Sequence, residues 1–180
     1  MNCLAFTLPE LMVSIGISCL VFAAIAVLSL YTGRTVASLA NYVELDQDSR
    51  NTLDVMTRDI RQVQQLTNFV KTVSGTNMSY RLDFYDSDNT VLSYSYSSTN
   101  QTLTRIKGGG SQVMLHGCVA CVFNMWQRNT VPGTFDLVPT TNTDLCKAID
   151  VTWVCTRTVL GSLVNSESVQ TARIIIRKQH

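Results

Sequence analysis

The sequence predicts an α+β protein in which a long N-terminal helix packs on an antiparallel β-sheet. Two observations predict this fold. One is an apolar run without a charged side chain from Leu11 to Gly33, followed by a polar segment that keeps the helical period. The other is the alternation of apolar and polar residues that begins after Gly75, which is typical of half-buried strands. We therefore expect a long N-terminal helix whose second half packs on an antiparallel sheet.

The composition narrows the class of protein. Only 15% of the residues are charged, against roughly 25% in a typical soluble domain. The net charge of +1 gives no basic excess of the kind that nucleic-acid binding requires, so no nucleic-acid partner is indicated. Glu10 is the only charged side chain before Arg34. This distribution excludes a simple soluble enzyme domain as the whole chain.

The uncharged run is long enough to cross a bilayer. Residues 11–33 in helical form would extend about 34 Å, and the hydrocarbon core of a membrane is about 30 Å thick. A secretory signal peptide has a basic start and a shorter apolar stretch of about 7–15 residues, and neither matches this sequence. Small residues along the run would let neighbouring helices approach closely. We expect an anchor that is retained, with residues 6–33 as the transmembrane segment.

A lone carboxylate, Glu10, lies at the mouth of this apolar helix. A charge placed in hydrocarbon costs at least about 2.5–3.5 kcal/mol on insertion scales. Two interpretations follow from the residues alone. Glu10 lies at the interface, solvated by lipid headgroups, or it has a function that offsets this cost.

The segment Phe6-Thr7-Leu8-Pro9-Glu10 and the apolar run after it resemble the leader of type IV pilins and pseudopilins. The resemblance implies a leader at residues 1–5, cut between Ala5 and Phe6 by a prepilin peptidase that then methylates the new amine. It also implies that Glu10 pairs with the terminal amine of a neighbouring subunit during assembly. The chain departs from the family in having Ala5 where Gly is usual and a leader without basic residues.

The later part of the chain resembles one branch of this family more loosely. Leu53 to Gln65, the hairpin ending in Tyr94, and the segments at 103–105 and 113–115 are similar to the minor pseudopilins of type II secretion (J class) and to type IV minor pilins. The resemblance implies a structural subunit near the tip of a fibre, without cofactor or enzymatic activity. Its implied partners are other pilin or pseudopilin subunits, the prepilin peptidase, the inner-membrane assembly platform and membrane lipid.

The residues also predict where the helix ends and the sheet begins. No Pro or Gly lies between Arg34 and Lys71, and an apolar stripe recurs at helical spacing. We therefore expect one helix from Leu8 to Val70, with residues 34–71 as its amphipathic continuation. Residues 72–180 are expected to form an extracytoplasmic β-rich domain with one buried sheet face. Its predicted strands are 80–85, 91–96, 103–106, 119–126, 149–156 and 172–177, with loops at 107–112 and 130–145.

The chain has six cysteines. Cys3 falls in the leader and Cys19 in the apolar run. The other four are candidates for disulfide bonds, because an extracytoplasmic compartment permits them: Cys118, Cys121, Cys146 and Cys155. Alternation predicts that Cys121 and Cys155 face inward and could meet if their strands pair. Free buried thiols, a zinc site and a redox pair at Cys118 and Cys121 remain alternatives.

No catalytic constellation is evident. The carboxylates Asp83, Asp86 and Asp88 are explained by turn chemistry, with a calcium site as the alternative. Two functional alternatives to a fibre subunit therefore stay open. One is a membrane-anchored binding protein that never polymerises, and the other is a membrane-tethered thiol oxidoreductase.

Overall fold

The computed structural model describes residues 7–86, 88, 90–157 and 167–177. It confirms the predicted α+β class, with one long N-terminal helix on antiparallel sheets. The elements in chain order are α1 (Leu8–Gln62), β1 (Gln65–Ser74), β2 (Asn77–Tyr85), β3 (Val91–Ser97), β4 (Thr102–Lys107), β5 (Gly110–His116), β6 (Cys118–Arg128), β7 (Leu137–Pro139), β8 (Cys146–Thr156) and β9 (Glu167–Ile175).

Helix α1 is 55 residues long, which corresponds to about 80 Å. It begins after Thr7, with Pro9 in the first turn, where a missing backbone N–H costs nothing. Its first buried residue is Leu45, and from there to Ile60 one face is buried against the sheets. The part before Leu45 extends away from this packing, so the helix has one exposed half and one docked half.

The predicted helical end at Val70, and with it the boundary at residue 71, is wrong. The helix ends at Gln62, and Val63 already has an extended backbone with ψ of 149°. Residues 65–74 pair with β2 instead, from Gln65 opposite Tyr85 to Ser74 opposite Asn77. This segment contains Thr, Val and Phe, and β-branched and aromatic residues favour strands. The absence of Pro and Gly was therefore insufficient to predict helix.

The strands form two sheets, where the sequence predicted one. The first has five strands in the order β1-β2-β3-β4-β5, and the second has four in the order β7-β6-β8-β9. The predicted hairpin of 80–85 and 91–96 is confirmed as β2 and β3. The expected loop at 107–112 is a tight turn around Gly108 and Gly109, because β5 begins at Gly110. Part of the expected loop at 130–145 forms β7, and β9 begins before the predicted residue 172.

Gly117 joins the two sheets. It has a φ of +66°, and a Cβ added there would lie 2.4 Å from the carbonyl oxygen of Thr156. The Thr156 amide donates to the Gly117 carbonyl over 2.8 Å. Only glycine fits this close approach of two backbones, so the chain can leave β5 and enter β6 without a longer connection.

One core unites the sheets and the docked half of α1. Aromatic rings from both sheets meet in it, since Tyr80 on β2 and Phe123 on β6 pack edge to face with centroids 5.9 Å apart. The Tyr96 hydroxyl donates to the Cys118 carbonyl over 3.2 Å. Trp153 on β8 is fully buried. These contacts join the docked half of α1 and both sheets into a single packed unit that holds the base of the rod.

Candidate functional site

The first turn of α1 places Glu10 in a capping box with Thr7. The Glu10 Oε2 atom accepts hydrogen bonds from the Thr7 amide over 3.3 Å and from the Thr7 hydroxyl over 3.0 Å. A carboxylate in the first turn also interacts favourably with the helix dipole. The structure therefore gives Glu10 a local role at the helix terminus. Ala5 and Phe6, the predicted processing residues, lie outside the described residues.

The first half of α1 is an exposed apolar surface. Every residue from Thr7 to Ala37 is exposed, including large side chains such as Leu20 at 72% and Phe22 at 71%. Exposed contiguous apolar surface of this extent marks a membrane or interaction site. By length and composition α1 can cross a membrane, near the N-terminus of the chain. The candidate functional site is this segment, Leu8–Val43, which we call the apolar rod.

Four hydroxyl side chains within the apolar rod are satisfied by the helix itself. The hydroxyls of Ser14, Ser18, Thr32 and Thr35 each donate to a carbonyl three or four residues earlier, over 2.8–3.1 Å. A hydroxyl bonded in this way needs no water partner, so it can enter lipid or a helix bundle at low cost. The surface is thus chemically suited to an apolar environment despite its Ser and Thr content.

One face of the apolar rod carries a shallow groove because the side chains along it are small. Ser29, Gly33 and Ala37 recur every four residues there, and a groove runs along them, bounded by the larger Leu28 and Val36. Small residues at this spacing allow two helix backbones to come close in lipid. This face is the part of the rod best shaped to receive another helix.

The docked half of α1 is fixed by polar contacts as well as by apolar packing. The Trp153 indole donates to the Ser49 hydroxyl over 3.3 Å, and the Thr52 hydroxyl donates to the Met114 carbonyl over 3.1 Å. Arg157 forms an ion pair with Glu44 over 2.7 Å. These contacts involve both sheets, so the helix is held at several levels along its length.

A buried ionic cluster lies near the end of α1. The Asp59 carboxylate accepts from Arg105 Nε over 2.6 Å and from the Tyr94 hydroxyl over 2.7 Å. Burial and the adjacent Asp59 carboxylate raise the pKa of Tyr94 above its usual value. Sequence reasoning missed this cluster because it followed apolar residues only. The sequence feature that could have indicated this cluster is Asp59, a carboxylate three residues after Met56. This spacing places it on the same buried face of α1 as the apolar stripe.

The register of β6 and β8 corrects one prediction about the globular cysteines. The five cysteines in the described part of the chain carry no disulfide bond in this structure. Cys118 lies opposite Cys155 in the β6–β8 ladder, whereas Cys121 lies opposite Trp153. The prediction that Cys121 and Cys155 face each other across the two strands is therefore wrong. A β-bulge between Cys118 and Ala120 shifts the alternation. Cys146 lies opposite Gln127, at the other end of β8.

The cysteine environment does not suit nucleophilic chemistry. Cys118 is fully buried, and Cys121 is 2% exposed. The hydrogen bond with the Cys121 thiol, together with burial, raises the pKa of Cys118 to about 12. Reactive cysteines have lowered pKa values and access to solvent. Within the described residues, no three His, Cys, Asp or Glu side chains are grouped so that they could hold a metal ion.

Two of the three acidic residues of the β2–β3 hairpin have their own partners. Asp83 accepts from Ser93 over 2.6 Å and from Arg81 over 2.9 Å. Asp86 is buried and pairs with Lys107 over 2.6 Å. Asp88 is exposed in the turn between the strands. Asp83 and Asp86 therefore have separate local partners. Only Asp86 and Asp88 follow the end of β2, whereas Asp83 lies within the strand.

No protein-family model, curated protein or solved structure matches the chain. The resemblance to pilins thus depends on the sequence alone, specifically on its N-terminal segment and more loosely on the later segments. In the structure, the N-terminal segment is an exposed apolar helix that a β-rich domain holds at its C-terminal end.

Proposed function

We propose that the chain is a minor pilin or pseudopilin, a structural subunit of a type IV pilus or type II secretion pseudopilus that lies near the fibre tip. Before assembly it would be held in the cytoplasmic membrane as a single-pass protein, with the β-rich domain on the extracytoplasmic side. Its partners would be membrane lipid, the prepilin peptidase, the inner-membrane assembly platform and other pilin or pseudopilin subunits.

The observation that carries this proposal is the apolar rod. It is entirely exposed as far as Ala37, yet it continues without a break into a helix half that is fixed to the domain. A simple anchor would need about 20 apolar residues and no rigid link to its domain. A rigid link makes sense for a subunit, because the position of the domain on the fibre then follows from the position of the rod.

Moving the rod from lipid into a helix bundle is energetically modest. Lipid tails and neighbouring helices are both apolar, so the hydrophobic surface stays out of water throughout the transfer. The free energy of assembly would come from a motor ATPase supplied by another protein. The groove at Ser29, Gly33 and Ala37 supports close packing in the bundle.

Glu10 can be tested for a role beyond its capping contact. Glutamine at the same position also completes a capping box, so Glu10→Gln keeps the cap and removes the charge. If Glu10 pairs with the terminal amine of a neighbour, this variant should remain in the membrane and disappear from sheared fibres. Thr7→Ala is the matched control, because it removes the capping hydroxyl and keeps the charge, and it should still assemble.

The experiment compares both variants by immunoblotting of membrane and fibre fractions. Equal incorporation of wild type and Glu10→Gln would contradict the proposal, and it is the result that a membrane-anchored binding protein predicts. Loss of Thr7→Ala alone would mean that helix capping, rather than charge pairing, determines incorporation.

A further inference from the structure

Three of the cysteines converge at one buried point of the four-stranded sheet. Cys118, Cys121 and Cys155 are each at most 2% exposed. The Cys118 thiol donates to the Ala120 carbonyl over 3.2 Å, and it interacts with the thiols of Cys121 and Cys155. Side chains from α1 and β9 close the site, since Ser49 contacts the Cys155 thiol and the Ser168 hydroxyl. The sulfur atoms are therefore already close in the folded chain.

The ladder around these cysteines determines which two can be joined. The Thr156 amide donates to the Gly117 carbonyl over 2.8 Å, immediately outside the opposed pair of Cys118 and Cys155. This pattern marks a non-hydrogen-bonded pair, in which the two Cα atoms are about 4.5 Å apart. Disulfides span Cα separations of about 4.4–6.8 Å. Cys118 and Cys155 therefore satisfy the distance requirement without movement of the backbone.

The other pairings fit less well. Cys121 is diagonal to Cys155, and diagonal neighbours are separated by about 7–8 Å. Cys118 and Cys121 are on one strand, where three residues span about 10 Å unless the bulge shortens them. Cys146 is at the opposite end of β8 from Cys155, about 30 Å along the strand.

We propose that Cys118 and Cys155 form a cross-strand disulfide that joins β6 to β8, and that Cys121 and Cys146 remain thiols. The oxidant is a disulfide-bearing protein or glutathione disulfide, encountered before the core closes over the sulfur atoms. The Cys118 thiolate attacks a sulfur of the oxidant and expels one thiolate. The Cys155 thiolate then attacks the Cys118 sulfur of the mixed disulfide and expels the second thiolate. The two protons lost by the chain are taken up by the two thiols released from the oxidant.

The inference rests on the proposed extracytoplasmic side of the domain, where such oxidants act. The pairing can be tested independently of that side. One sample is the full chain purified from membranes in detergent, with free thiols blocked by N-ethylmaleimide at lysis. The other is the full chain purified reduced, unfolded, and refolded with glutathione disulfide. Both are digested and their linked peptides are identified by mass spectrometry.

Linkage of Cys118 to Cys155 is expected in both samples, with Cys121 and Cys146 alkylated. The Cys121→Ser variant should keep this link, whereas Cys118→Ser should leave Cys155 alkylated. A link of Cys121 to either neighbour, or alkylation of all four globular cysteines in the refolded sample, would overturn the pairing. A Cys118–Cys155 link in the refolded sample, together with free thiols in the sample from cells, would overturn the extracytoplasmic placement and leave the pairing intact.

Discussion

The guanidinium of Arg105 on β4 holds the carboxylate of Asp59 at the end of α1, with Nε and Oδ2 2.6 Å apart. The Asp59 side chain is 4% exposed. Arg105 Nη2 donates to Oδ1 over 3.2 Å, and the Tyr94 hydroxyl provides a third donor. The hydrogen bonds to Asp59 and the Coulomb attraction raise the pKa of Arg105. These contacts tie the last turns of the helix to β3 and β4 of the five-stranded sheet, so they couple the rod to the domain.

Removing the carboxylate should therefore destabilise the docked helix. Asp59→Ala leaves a half-buried arginine without its partner, and breaking such a pair costs about 3–5 kcal/mol. Asp54→Ala is the matched control, because Asp54 is exposed on the same helix and should change stability by at most about 0.5 kcal/mol. Urea unfolding in detergent, monitored by the fluorescence of the two tryptophans, of which Trp153 is fully buried, measures both changes. Equal midpoints for the two variants would show that the ion pair does not hold the helix.

Tyr94 makes the stability of the domain sensitive to alkaline pH. Its folded pKa is raised by burial and by Asp59, above the value of about 10 in an unfolded chain. A raised folded pKa gives stability that is present below about pH 10 and lost as the pH rises further. Tyr94→Phe should cost about 1–3 kcal/mol at neutral pH, and the difference from wild type should shrink above pH 10. A constant difference across that range would contradict this account.

Gly117 should be far less tolerant of a side chain than the glycines of an open turn. Gly117→Ala adds a Cβ 2.4 Å from the Thr156 carbonyl oxygen, in addition to the strain of a positive φ. Gly109→Ala is the matched control, since Gly109 has a φ of +83° and no atom within 4 Å of the added Cβ. The control should lose about 1–2 kcal/mol from strain alone, and Gly117→Ala about 1–3 kcal/mol more from overpacking. Similar urea midpoints for the two variants would show that the junction between the sheets does not require glycine.

Some of the fold could be predicted because local and tertiary preferences agreed. The apolar run predicted α1, and the alternation of apolar and polar residues predicted the β2–β3 hairpin. The helix end could not be predicted, because residues 65–71 are compatible with a helix until their pairing with β2 is known. The division into two sheets depends on Gly117. A glycine is required there because the backbone of Thr156, which is distant in sequence, lies too close for a side chain.

The candidate site was predictable to a similar extent. Glu10 was singled out by its charge, and the structure adds its bond to Thr7. The partner of Asp59 is 46 residues away, on a strand whose register no local pattern specifies. The opposition of Cys118 and Cys155 was missed because a bulge breaks the alternation on which the prediction depended.

The most direct test of the central claim is the N-terminus of the mature chain. The full-length protein should be expressed with its prepilin peptidase, extracted from membranes, and sequenced from its N-terminus by mass spectrometry. The account predicts a chain that begins with N-methylated Phe6, and an Ala5→Lys variant that keeps its first five residues attached. A wild-type chain in the membrane that retains residues 1–5 would contradict the proposal that this protein is a pilin-like subunit.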